Sequence, residues 1–344
     1  MPQSRPQVSQ RDVGLGEKID FLLRPASYPE PTRQVEAKET HMSWVFLTDA
    51  HAYKLKKPVR YPFLDFSSVE LRRRNCEEEV RLNRRLAPDV YLDVVPLGLV
   101  GAGELAIGGG RPVDWLVKMR RLSAERTLEH AIRSNAVREE DIERLARCLA
   151  AFYRDAPKVA IGAADYRDRL AADIAANENA LKSPAYQLPA PAIEGVATAL
   201  RRYVAVHSDR LDRRVREGRI VEGHGDLRPE HIYLGPEPLV TDCLEFNRAF
   251  RILDPIDELA YLVMECEREG APQVGAWLLK GYSEASGDMA PTDLVAFYEG
   301  YRAFLRAKIA IWHLDEPVPR DGAKWRPRAL AYLRLAQSRS VRLD

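Results

Sequence analysis

The chain has 344 residues, of which 30% are charged and 46% hydrophobic, and its formal net charge is +1. That length predicts a globular protein of two domains or two lobes, and the near-neutral charge excludes a broad surface for nucleic acid or membrane. No run of about 18 apolar residues occurs, so no membrane span is expected, and the opening MPQSRPQVSQRDVG lacks the apolar stretch of a secretory signal.

Residues 1–14 are polar and read as a disordered tail. Ile19–Leu23 reads as a short helix, broken by Pro25, Pro29 and Pro31. Ser43–Thr48 reads as a strand, Asp49–His51 as a turn, and Ala52–Lys56 as the return strand by its period-two alternation. A helix is expected over 67–86, capped by Ser67 or Ser68. Val94–Leu99 and Glu104–Ile107 form a second hairpin about Gly101-Ala102-Gly103, and Trp115–Met119 is a further strand. Beyond it, Glu140–Tyr153, Tyr166–Leu181, Ala192–His207, Pro255–Glu269, Ala271–Ala285 and Thr292–Leu314 carry apolar residues at helical spacing. A small β patch interrupts them at Ile220-Val221, Ile232–Leu234 and Leu239–Thr241. The expected division is a tail with a short helix (1–35), a small β-rich lobe (36–120) and a larger helical lobe (121–344).

Cys76, Cys148, Cys243 and Cys266 are scattered and form no C-x-x-C pair. Reduced thiols and a cytoplasmic location are the expectation, with no zinc site.

Within the β patch, His224-Gly225-Asp226-Leu227-Arg228-Pro229-Glu230-His231-Ile232 has the form of a kinase catalytic loop, H-R-D-x-x-x-x-N. The plain alternative is a charged surface loop between two strands. Asp226 is the candidate acceptor or orienter of a hydroxyl proton. Arg228 is the candidate cation beside a transferring phosphoryl group. His231 stands where the kinase motif has Asn. Sixteen residues after Asp226, the apolar run Leu239-Val240-Thr241 ends in Asp242, with Glu245 close behind. A short hairpin would bring both aspartates to one cleft. Mg²⁺ takes one or two carboxylates plus phosphates, so Asp242 is the candidate metal ligand and Glu245 a candidate assistant.

Lys54 and Lys56 share one face of their strand, and either could hold nucleotide phosphates. Ala52-x-Lys54 matches the A-x-K of the kinase strand, which favours Lys54. Its carboxylate partner is expected on the following helix, where Glu77, Glu78 and Glu79 stand; Glu79 is chosen first for its face, then Glu78. Met119, Arg120 and Arg121 are the candidate linker, supplying backbone groups to an adenine edge. Asp254 before Pro255 is expected to cap a helix, and a carboxylate on that helix to brace the catalytic-type loop. No G-x-x-x-x-G-K-[ST] occurs, so a P-loop is excluded. Gly108-Gly109-Gly110 reads as a loop, and Thr40-His41-Met42-Ser43 is the stretch nearest to hand for covering phosphates.

With these residues set out, the chain resembles the aminoglycoside phosphotransferase-like branch of the protein-kinase-like fold. That family's H-G-D-x-x-x-x-N, I-D-[FW]-[ED] and D-P-x-x-D-L-A read here as H-G-D-L-R-P-E-H, V-T-D-C-L-E and D-P-I-D-E-L-A. Leu259-Ala260 align so that Glu258 takes the place of the family's last Asp. The front segments Glu39–Leu47, Tyr53–Pro58, Phe63–Ser67 and Asn83–Pro88 resemble an uncharacterised bacterial subgroup, and the resemblance covers residues 16–314. His231 for Asn is the main departure: neutral imidazole suits softer metal ions than Mg²⁺, and a protonated ring could contact phosphate instead.

The resemblance implies an α+β, bilobal protein-kinase-like fold, with a small β-rich lobe and a larger helical one. It implies an ATP-dependent transferase, a kinase of the aminoglycoside phosphotransferase-like kind, that moves the γ-phosphoryl to a small-molecule hydroxyl with Mg²⁺ or Mn²⁺. Lys54 and Glu79 would position the nucleotide, with Met119 and Arg120 at the linker. Asp226 and Arg228 would be catalytic. Asp242, His231 and Glu245 are the metal candidates. Arg302, Arg306 and Lys308 on the late helix, in place of an acidic cluster, favour an anionic or neutral substrate. The alternative is a pseudokinase-type nucleotide-binding or scaffold module without turnover, motivated by His231. A protein kinase is disfavoured because only eleven residues separate Asp242 from Asp254. Substrate, pathway and oligomeric state are not specified by these residues.

Overall fold

A computed structural model of the chain describes residues 12–315 and 322–343. Most of the expected tail, residues 1–11, lies outside the described residues. The chain divides into two units. One runs up to Ser123 and includes Thr241–Asn247; the other holds Ala124–Val240 and the residues from Arg248 onward.

The first unit is built on a six-stranded antiparallel sheet. Its elements are helix α1 (Leu15–Leu22), strands β1 (Glu36–Glu39), β2 (Ser43–Leu47), β3 (His51–Lys56), β4 (Arg60–Tyr61) and β5 (Leu64–Asp65), helix α2 (Val69–Asn83), and strands β6 (Tyr91–Val100), β7 (Glu104–Ile107) and β8 (Arg111–Arg120). The sheet order is β1-β2-β3-β8-β6-β7, with β4 and β5 as a separate small hairpin. Pleating sends alternate side chains of β3 to opposite faces. Tyr53 and Leu55 join Phe21, Leu22, Tyr28, Phe46 and Leu116 in one apolar core. Lys54 and Lys56 face the other way, and both reach Glu79 on α2.

β1 is not among the expected strands, because Glu-Ala-Lys-Glu has no apolar alternation; it is a charged edge strand, a usual way of discouraging further pairing. Ser68, rather than Ser67, caps α2 by accepting the Leu71 N–H (3.2 Å). Gly98 and Gly110 let the Gly108–Gly110 turn cross β6, since a Cβ on either would come within 2.3 Å of a backbone oxygen. This turn belongs to a β-connection.

Two charged clusters bind the helices to this sheet. On β8, Asp114 accepts from Lys18 of α1 (2.8 Å) and twice from Arg72 of α2 (2.8 and 2.9 Å), all three being buried. The other surrounds Lys54 and Lys56.

The second unit is helical. It comprises α3 (Leu128–Arg133), α4 (Glu139–Asp155), α5 (Ala163–Leu181), α6 (Ala190–Val206), α7 (Ser208–Arg216), strands β9 (Val221–Glu222), β10 (Ile232–Tyr233), β11 (Leu239–Val240) and β12 (Ile252–Leu253), then α8 (Pro255–Arg268), α9 (Pro272–Ser286), α10 (Thr292–Trp312) and α11 (Gly322–Ser340). β9 pairs with β12 and β10 with β11, both antiparallel. Helix α8 is buried from Pro255 to Cys266 and is packed by α9 and α10. Asp254 caps it through the Ile256 N–H (2.9 Å) and is itself held by Arg214 (2.6 Å). Helices α3, α7 and α11 were not among the expected elements. In α11, Ala329, Tyr332, Leu333 and Ala336 are buried at helical spacing, a signal present in the sequence but masked by Pro327 and the surrounding basic residues.

Mixed α and β composition in two such units, a sheet-based one and a larger helical one, is the expected fold class.

Candidate active site

In the first unit, Lys54 Nζ lies 2.8 Å from Glu79 Oε1 and 2.9 Å from Asp242 Oδ1. Lys56 Nζ lies 2.6 Å from Glu79 Oε2 and 2.5 Å from Glu245 Oε1. Five charged side chains thus make one chain of contacts, with Glu79 shared between the two lysines. Burial opposes the charge on Lys54, but Asp242 and Glu79 outweigh it and hold its pKa well above the usual lysine range. Burial also opposes the charge on Glu79, and the two ammonium groups win, lowering its pKa. Burial pushes the Glu245 carboxyl up despite Lys56.

Segment 241–247 belongs with the sheet because the sheet unit satisfies its backbone. The Asp242 N–H donates to the Tyr91 hydroxyl (3.1 Å) and the Cys243 N–H to Asn83 Oδ1 (2.9 Å). Asp242 has φ +61°, a left-handed conformation that Asp tolerates better than most residues. Its side chain is 48% exposed, against 0% for Glu79 and 9% for Glu245. With three carboxylates to two ammonium groups, the cluster carries one excess negative charge, and the exposed carboxylate is where a cation can reach it. These hard oxygen donors suit Mg²⁺ or Mn²⁺. No group of three His, Cys, Asp or Glu placed to hold a metal occurs among the described residues, so protein ligation alone would be sparse.

In the second unit, the loop between β9 and β10 carries Asp226. Gly225 has φ +90°, so the glycine of H-G-D is required by the backbone. Asp226 Oδ1 accepts from the Tyr261 hydroxyl (3.1 Å). Its Oδ2 lies 3.6 Å from the Arg228 guanidinium and 3.7 Å from His231 Nδ1. Burial and the nearby Asp226 charge keep the Tyr261 phenol protonated, which makes it a donor. His231 Nδ1–H donates to the Asp226 carbonyl (2.9 Å), so a ligand contact by this ring would run through Nε2.

Glu258 on α8 braces this loop. Its carboxylate accepts the N–H groups of His224 (3.0 Å) and Gly225 and the Tyr153 hydroxyl (2.8 Å). A Cβ on Gly223 would sit 2.8 Å from the same carboxylate, so a larger residue there would push on the brace. Glu258→Gln would turn an NH₂ towards these donors. The expected result is a loss of about 1.5–3 kcal/mol in urea denaturation and faster amide exchange at His224 and Gly225, read by mass spectrometry.

The structure places three sets of expected residues more closely. Met119 and Arg120 lie inside the strand: β8 runs through Arg120, Met119 stands opposite Ala52 and Tyr91, and the Arg120 N–H donates to the Val90 carbonyl. The stretch outside regular structure begins at Arg121. Arg302 and Arg306 do not favour an anionic substrate, since both are buried and paired, Arg302 with Asp257 (2.6 Å twice) and Arg306 with Glu265 (3.2 Å). Glu245 is engaged by Lys56, which the alternation of β3 marked only as a second choice to Lys54. Tyr261 is a contact of Asp226 that local spacing did not single out; its place two residues after Leu259 on a buried helix was the available signal.

No family model matches the chain. It is 32% identical over 299 residues, 84% of its length, to an uncharacterized protein of Mycobacterium tuberculosis and to another of Mycobacterium bovis, and it spans 57% of the length of those relatives. Among solved structures it is similar to a choline/ethanolamine kinase family protein from Mesorhizobium loti (TM-score 0.58, 16% identity, covering 95% of this chain and 98% of that one). It is also similar to a GDP complex of an aminoglycoside 2′-phosphotransferase IIIa variant (TM-score 0.55, 14% identity, 94% and 98%). A third is choline kinase LicA from Streptococcus pneumoniae (TM-score 0.53, 17% identity, 93% and 97%). The chain therefore has the protein-kinase-like fold in the form these small-molecule kinases take. No helix among the described residues is long and apolar enough to cross a membrane.

Proposed function

We propose that this chain is an ATP-dependent phosphotransferase acting on the hydroxyl of a small molecule. The observation that carries the reading is the Lys54–Glu79–Asp242 cluster: a buried carboxylate orients a lysine beside an exposed carboxylate. Lys54, fixed by Glu79, would hold the nucleotide α- and β-phosphates. Asp242 would hold Mg²⁺, which when bound neutralises charge on the β- and γ-phosphates. Asp226 would take the proton of the acceptor hydroxyl as its oxygen attacks the γ-phosphorus and ADP leaves. Arg228, whose charge Asp226 and Tyr261 reinforce against burial, would stabilise the transferring phosphoryl. The adenine edge would meet backbone groups where β8 ends, at Met119, Arg120 and Arg121. The fold of choline kinases and aminoglycoside phosphotransferases supports a small hydroxylated substrate over a protein one, and use of ATP would suit a cytoplasmic setting.

The alternative, nucleotide binding without turnover, is favoured by one observation: His231 commits Nδ1 to the loop's own carbonyl, where the motif's Asn would offer an oxygen to metal. Incubation of the purified protein with ATP or GTP, Mg²⁺ or Mn²⁺, and a panel of amino alcohols, aminoglycosides, sugars and nucleosides separates the two. The expected result is a phosphorylated product by mass spectrometry. Nucleotide binding by calorimetry with no product and no hydrolysis supports the module without turnover. Absence of nucleotide binding removes both.

A further inference from the structure

Lys56 poses a physical problem. Its side chain is wholly buried, with its ammonium between Glu79 and Glu245 and 5.1 Å over the Phe66 ring. Burying an ammonium group is unfavourable unless it is well paired, and an apolar side chain of similar volume usually stabilises a core as well or better. Lys54 already provides Glu79 with a cation. A second lysine adds something other than core stability.

Its contacts show what it can add. The contacts that attach segment 241–247 to the sheet unit include backbone hydrogen bonds to Tyr91 and Asn83, an Arg85–Cys243 contact, and two charged contacts, Lys54–Asp242 and Lys56–Glu245. If Lys54 engages phosphate and Asp242 engages a metal, as proposed above, their mutual contact at 2.9 Å shares its charges with those ligands and weakens as a tether. Lys56–Glu245 is a charged tether that such a change leaves in place. It also fixes Glu79, because Oε2 is bound by Lys56 while Oε1 addresses Lys54. Two groups needed by the proposed chemistry, the Glu79 carboxylate and the Asp242 segment, are thus held by one buried cation that itself faces no solvent.

We infer that Lys56 is a positioning residue for the metal-bearing segment, and that Glu245 serves as its anchor instead of ligating metal. The inference rests on the reading of Asp242 as the metal carboxylate. It makes Lys56 and Glu245 act in the same direction. A ligand role for Glu245 makes them oppose each other, because removing Lys56 would release Glu245 to the metal and tighten binding.

The test is Mn²⁺ binding to the full chain in the presence of a non-hydrolysable ATP analogue, followed by the EPR signal of free Mn²⁺, so that turnover is not required. K56M and E245L are each expected to raise the Mn²⁺ dissociation constant about tenfold or more. K56R, which keeps the cation, is expected to stay near wild type. The double variant K56M/E245L buries no unpaired charge and serves as the folding control; its thermal midpoint is expected to stay close to wild type while its Mn²⁺ affinity remains weakened. Tighter or unchanged Mn²⁺ binding in K56M, with wild-type binding intact, overturns the inference alone. A wild-type protein that binds no Mn²⁺ with nucleotide, or a D242N variant that binds it as wild type does, overturns the metal reading of Asp242 and the inference with it.

Discussion

Replacing Asp226 by asparagine is expected to lower kcat for phosphoryl transfer by about 100- to 10,000-fold while leaving the protein folded. The substitution keeps the shape of the side chain and an oxygen to accept from the Tyr261 hydroxyl, 3.1 Å away. What it removes is the basicity that takes the hydroxyl proton. Arg228 loses a neighbour at 3.6 Å but retains its contact with Glu230, so no buried charge is stranded. The thermal midpoint should therefore move by no more than a few degrees. The measurement pairs a transfer assay, on whichever hydroxyl compound the panel yields, with calorimetric melting. A rate near wild type would show that Asp226 is not the proton acceptor. A collapse of both rate and melting temperature would assign it a structural role.

The largest stability effect is expected at Asp114. Its carboxylate faces Lys18 and Arg72, and all three side chains are at most 8% exposed. Asp114→Leu leaves two cations in a buried site, with neutral carbonyls, those of Val113, Phe66 and Ser67, in place of a carboxylate to receive them. Breaking a buried ion pair in this way costs about 3–5 kcal/mol. Lys18→Met is milder, because Asp114 remains doubly bonded to Arg72; the loss of one charged hydrogen bond is worth about 1.5–3 kcal/mol. Urea denaturation of the two variants checks the ranking, and equal losses would contradict it. The effect should reach nucleotide binding as well, since Arg72 stands two helical turns before Glu79 on α2.

Much of the site was legible because it is local. Gly225 before Asp226, and Asp254 before Pro255, announce their backbone roles within a few residues. The shared face of Lys54 and Lys56 followed from strand alternation, and Glu79 from helix phase. What alternation cannot supply is depth. Both lysines reach α2, yet only the packing about Phe66 buries Lys56 completely. Depth also decides Arg302 and Arg306, which favour an anionic or neutral substrate by residue type alone but are buried against Asp257 and Glu265. The strand expected over Trp115–Met119 is longer because a strand's ends depend on its partners: pairing with both β3 and β6 carries β8 from Arg111 through Arg120. β1 went unseen because an edge strand needs no apolar alternation.

The division of the chain has a consequence for its synthesis. When residues up to Ser123 have left the ribosome, Lys54, Lys56 and Glu79 are present but Asp242 and Glu245 are not. The nascent sheet unit then carries two buried-site lysines against one carboxylate. The missing anions arrive about 120 residues later, or about 6–24 s at common elongation rates. Over that interval β3 and α2 lack their final charge balance. The order of translation therefore postpones locking of the lysine cluster until the Asp226 loop has already been made.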